Sequence, residues 1–131
     1  MIKEITAYIK NLLGTSYVIG TNIFAGFAPS GISVDHIIAI DSGGVPNFYL
    51  PDHIGKTVQV LCKAEDYHEA MRLAMLVFNA LNGKAGITLP VVNSAYYVNT
   101  ISAISVPQSL GQDENGLFNI STNYVFKLQA A

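Results

Sequence analysis

The sequence predicts an α+β fold. A single two-layer domain over residues 1–131 carries a mostly antiparallel β-sheet with two helices packed on one face, in the order α-β-β-β-α-β-β. Three observations lead there. Two well-separated segments repeat apolar residues at helical spacing. The stretches between and after them are rich in β-branched and aromatic residues or alternate with period two. The two longest strand-like segments are consecutive and joined by a turn, which makes an antiparallel pair.

The elements follow in chain order. Residues 1–13 read as a helix: Ile2, Ile5, Ile9, Leu12 and Leu13 form one stripe, with Lys3, Glu4 and Lys10 off it. Gly14 is placed to end it in a left-handed cap. Residues 16–23 read as a strand, and residues 25–31, with Gly26, Pro29 and Gly31, as a loop. The apolar run 37–40 is a buried strand ending in Asp41-Ser42-Gly43-Gly44. There paired glycines, followed by Pro46 and Pro51, predict a chain reversal and an extended loop. Residues 57–64 alternate: Val58, Val60, Cys62 and Ala64 face one way, Thr57, Gln59, Leu61 and Lys63 the other.

Asp66 is the expected cap of a helix over residues 67–82, with Glu69 as its capping-box partner and Gly83 beyond its end. Ala70, Leu73, Ala74, Val77, Phe78 and Leu81 form its stripe. Met71 and Met75 widen this to an arc that calls for cover beyond the sheet, from the first helix or a neighbouring subunit. Residues 96–106 make one long strand halted by Pro107, residues 113–116 a turn, and residues 117–128 a strand with Phe118, Ile120, Tyr124, Phe126 and Leu128 on one face.

Composition narrows the function. Half of the 131 residues are hydrophobic and only 12% are charged, about half the usual share. Such a chain buries enough apolar surface to order itself, yet leaves a largely neutral exterior that favours association. Seven basic and nine acidic residues give a net charge of −2 without a basic cluster, which excludes a phosphate-binding face for nucleic acid. Cys62 is the single cysteine, so neither an internal disulfide nor a thiolate zinc cage can form. The first residues lack the pattern of a signal peptide, and the longest apolar stretch, 73–81, is too short to cross a bilayer. An intracellular, assembling protein without a membrane partner is expected.

Catalytic patterns are sparse. His36, His53 and His68 have no second histidine at metal-ligand spacing. Ser42 follows a strand, but Ile40 stands where a nucleophile elbow needs glycine. Cys62 falls on the inward face of a strand, where a thiol behaves as a small hydrophobe. Asp66 and Glu69 are accounted for as caps, Asp113 and Glu114 as turn residues. The reading is of a protein that is not an enzyme and binds no cofactor or metal.

Four stretches together resemble the small minor capsid, or tail terminator, proteins of long-tailed bacteriophages. They are the helix 2–13, the Asp-Ser-Gly-Gly-Val-Pro segment 41–46, the strand and Tyr-His-Glu-Ala helix start across 58–70, and the turn of 107–118 running into Ser-Thr-Asn-Tyr-Val-Phe at 121–126. Leu117 and Leu61 depart from the pattern, standing where charged residues are usual in that family. The resemblance implies a homo-oligomeric ring, typically a hexamer, at the head-proximal end of the tail tube. It would stop tube growth and offer a surface for head-tail joining. The implied partners are further copies of the chain, the major tail tube protein and a neck or head-closure protein. The implied location is the virion, after a stage in the host cytoplasm. A ring needs a contact that closes on itself and two unlike faces. The candidates for such contacts are Phe27, Gly43, Gly44, Pro46, Phe48, Tyr49, Asp52, Asp113 and Glu114 in loops, with Met71 and Met75 on the helix. Two alternatives stay open: a neck or head-completion protein between portal and tail, and a small-molecule-binding or hydrolytic domain around Asp41, Ser42 and His53.

Overall fold

The computed structural model describes residues 2–14, 17–27, 35–46, 53–89, 96–114 and 116–130. The first helix, α1 (Ile2–Leu13), turns Ile5 and Ile9 into the interior. Thr6 is buried beside them and loses no hydrogen bond, because its hydroxyl donates to the Ile2 carbonyl one turn back at 2.7 Å. Gly14 follows with φ +101° and its N–H on the Lys10 carbonyl at 3.1 Å, the left-handed end expected of it.

The next strand lies later than its sequence predicts. Within residues 17–23 only an isolated bridge, Ile19 to Ile23, is formed. Asn22 closes a turn there: its side-chain oxygen accepts from Val18 N–H at 2.7 Å, and its own N–H donates to the Val18 carbonyl at 3.2 Å. A local Asn bond outcompetes the β-propensity of its neighbours. β1 is therefore short, Ile23–Ala25, and pairs in parallel with Ile37–Ala39 of β2 (His36–Pro46).

The expected chain reversal at Asp41–Gly44 is instead an irregularity inside β2, which continues to Pro46 paired with β3 (His53–Ala64). Gly43 takes φ +91° and donates its N–H to Asp41 Oδ1 at 2.8 Å. The glycine supplies the positive φ of a bulge rather than of a turn. β3 then runs beside β7 (Phe118–Ala130) in unbroken antiparallel register, from His53 opposite Gln129 to Ala64 opposite Phe118.

The second helix, α2 (Tyr67–Leu81), starts as expected after Asp66, but the capping box does not form. Asp66 makes no side-chain cap bond, and Glu69 instead pairs with Arg72 one turn on. A charged partner at i+3 outcompetes a reach back to a backbone N–H. Two strands were not anticipated. β4 (Ala85–Leu89) pairs with β5 (Tyr96–Ala103), and β6 (Gln108–Gln112) pairs with β7. β5 and β6 are one long strand in two pieces. Both lie on the same side of β7, and residues 104–107 interrupt them. The break begins before Pro107, where the Ile104 N–H still reaches the Asn123 carbonyl at 2.8 Å. The expected turn then returns the chain, with Gly116 at φ +81°.

The sheet order is β1-β2-β3-β7-β5-β4, with β6 also on β7 and every pair but the first antiparallel. Ile37, Ala39, Val58, Val60, Cys62, Ile120, Tyr124, Phe126 and Leu128 point to the face where Ile5, Ile9, Ala70, Leu73, Val77 and Leu81 of the two helices meet them. The α+β arrangement read from the sequence is the one observed, with two more strands than the pattern announced.

Candidate interaction surfaces

The side chains able to do chemistry are mostly engaged or buried. Cys62, 1% exposed on the helix-covered face, has its thiol pushed up to about 12 by burial, so it stays protonated and unreactive. Asp41 forms an ion pair with Lys56 at 2.6 Å, and that bond, with the Gly43 N–H, holds its carboxyl below the usual aspartate range. Glu69 is held low by Arg72 in the same way. His36 is buried with its ring edge-on to Phe24 at 5.7 Å, and His68 lies edge-on to Tyr67. Among the described residues, no three of His, Cys, Asp and Glu gather to hold a metal ion. Among them, too, no helix is long and apolar enough to cross a membrane.

The contact candidates scatter over the molecule. Phe27 is 77% exposed and lines an apolar cavity of about 430 Å³ with Lys3, Thr6, Ile19, Gly20, Phe24 and Ala25. Gly43, Gly44 and Pro46 lie in the bulged end of β2, with Gly43 exposed. Met75 is exposed on α2, whereas Met71 is half-buried against the core of its own chain. Asp113 pairs with Lys63 at 3.3 Å and accepts the Leu117 N–H at 3.0 Å, so it holds the β6–β7 turn in place. Glu114 beside it is exposed. Phe48, Tyr49 and Asp52 lie outside the described residues. Leu117, the apolar replacement noted in the sequence, is buried within the domain, and Leu61 is half-buried.

One surface escaped the sequence reading. Ile104, Val106 and Leu110 are 61%, 68% and 57% exposed around the break between β5 and β6. Periodicity places Ile104 and Val106 on a strand and Leu110 in a connection. The signal available was the charge-free run Ile-Ser-Val-Pro-Gln-Ser-Leu-Gly-Gln at 104–112.

The class defined by these features is a small α+β domain that, among its described residues, leaves large apolar side chains exposed at the sheet margins. Residues 10–130 match the bacteriophage tail terminator protein family, and the chain belongs to that family. It is thus a component of a phage particle that works against other tail or head proteins. No individually curated protein matches it.

Proposed function

We propose that the chain closes the head-proximal end of the tail tube as a homo-oligomeric ring, stops tube polymerisation and presents its far side for head-tail joining. The family match over residues 10–130 carries this reading. The physical chemistry supports it. A chain with 12% charged residues gains from covering neutral surface, and Ile104, Val106, Leu110, Phe27 and Met75 are large apolar groups left in solvent. A terminator must accept the last tube ring on one side and refuse another on the opposite side, so its two faces must differ. Its partners are then further copies of itself, the major tail tube protein and a neck or head-closure protein. The work is done by binding alone, with no reaction to catalyse and no cofactor. Assembly takes place in the host cytoplasm and ends in the virion.

Two measurements test this. The purified chain, alone or with tube protein, should give closed rings by native mass spectrometry and negative-stain microscopy. Particles from a deletion mutant should carry over-long or unjoined tails. Tails of normal length that are joined to heads in the deletion would rule the role out.

A further inference from the structure

The sheet has two margins, and among the described residues no strand covers either along its full length. On one, β4 shields the outer side of β5 only as far as Ile101, whose N–H and carbonyl bond Lys84 and Gly83 at 2.8 and 2.9 Å. Beyond that point β6 pairs with β7, and among the described residues no strand lies on its outer side. All five β6 residues are exposed, and Leu110 within it and Val106 just before it are more than half so. Soluble proteins guard such an edge with charge, proline or a bulge. Residues 104–112 carry no charge, Pro107 lies in the break before the strand, and the irregularity at Ser109/Gly111 leaves Leu110 in solvent.

On the opposite margin β1 covers only Ile37–Ala39 of β2, with the Gly26 N–H adding a bond to the Ala39 carbonyl at 2.7 Å. Among the described residues no strand pairs with the outer side of β2 past that point, and Asp41, Ser42 and Gly43 are exposed. Asp41 is paired with Lys56, and residues 42–46, Ser-Gly-Gly-Val-Pro, carry no charged side chain.

We propose that these margins are the two halves of one contact between copies of the chain: β6 of one subunit adds as a strand to residues 41–46 of β2 of the next. Unpaired backbone N–H and C=O groups along a strand are satisfied most fully by another strand, and apolar knobs beside them are covered in the same step. Residues 42–46 and 104–112 carry no charged side chain, and Asp41 at the start of the first segment is held by Lys56, so neither selects a charged partner. They lie at opposite ends of one sheet, and a head-to-tail contact that closes into a ring requires two different patches of this kind. This assignment rests on the ring reading above and gives it a location.

The test uses the whole chain. Ser42→Cys and Ser109→Cys sit in the exposed parts of the two segments, while Cys62 is buried and stays silent. With a short bis-maleimide cross-linker, the double variant should give a ladder of covalent oligomers ending at the ring, and each single variant none. Val106→Lys/Leu110→Glu should weaken assembly at least about a hundredfold by sedimentation while circular dichroism and the denaturant midpoint of the monomer stay unchanged. Should that variant misfold, the cysteine pair still decides. Rings that assemble without the heterotypic cross-link would overturn this contact and leave the ring standing. Cross-linked dimers from Ser109→Cys alone would overturn it in favour of a two-fold pairing of β6. Capture of a tube-protein strand by β6 in place of a second copy would overturn it too. A wild-type chain that stays monomeric even with tube protein would sink both the contact and the ring.

Discussion

The β3–β7 pair and the β5–β6 margin both carry large apolar residues, which end up in opposite situations. Along β3 and β7 the register is unbroken, and Val58, Val60, Cys62, Ile120, Tyr124, Phe126 and Leu128 are all at most 1% exposed beneath the helices. Along β5 and β6 the pairing is interrupted at residues 104–107, and Ile104, Val106 and Leu110 remain in solvent. Ile104 and Val106 are as apolar and as β-prone as Val58 and Ile120. The difference is position: β3 and β7 have neighbours on both sides and a helix layer above, whereas among the described residues β6 pairs only with β7. An apolar residue at the centre stabilises the monomer, and one at the margin is available to something else.

The largest expected contrast is in reactivity at the centre. The Cys62 thiol should be alkylated at least about a thousandfold more slowly in the folded chain than in denaturant, since its reaction requires opening of the β3–β7 core. Rapid labelling under native conditions would mean that the centre is no more closed than the margin.

Next comes a matched pair of truncations. Phe126→Ala should cost about 3–5 kcal/mol of folding stability, whereas Leu110→Ala should stay within about 0.5 kcal/mol. Urea denaturation of both at a concentration where the chain is monomeric makes the comparison. Equal losses would place Leu110 in the fold rather than at a contact.

The smallest effect tests β2, where the margin bears an ion pair. Lys56 and the Gly43 N–H hold the Asp41 carboxyl below its ordinary value. A carboxylate depressed in the folded state stabilises above its unfolded pKa, and that contribution disappears as pH falls through the lower folded value. Asp41→Asn should therefore be slightly less stable than the parent near neutrality, with the gap closing below about pH 4. Asp41 is 41% exposed, so the gap should be under about 1 kcal/mol. Its persistence at pH 2.5 would show that Asp41 acts by shape and not by charge.

Much of the fold was legible in local pattern, and the exceptions share a cause. The α1 and α2 stripes, the alternation of β3 and β7 and the turn after Asp113 are short-range signals that burial reinforces. The shift from a strand at 16–23 to β1 follows from the Asn22 bond to Val18, the extended β2 from pairing with β3, and the missing capping box from Arg72 offering Glu69 a better partner. The candidate surfaces were less legible. Phe27, Gly43 and Met75 are exposed as a contact residue must be, while Met71 packs on its own core and Asp113 braces a turn. Ile104, Val106 and Leu110 are not legible as surface because periodicity reports which residues could share a face, not whether anything covers it.

The amino-acid sequence by itself determined two amphipathic helices, the antiparallel centre of the sheet, a chain poor in charged residues, and a phage tail terminator likeness that the family match bears out. Only the tertiary structure decided which apolar residues are spent inside and which are left at an edge. Hydrophobic burial has no direction of its own, and the order of strands in the sheet is what gives some residues two neighbours and others one.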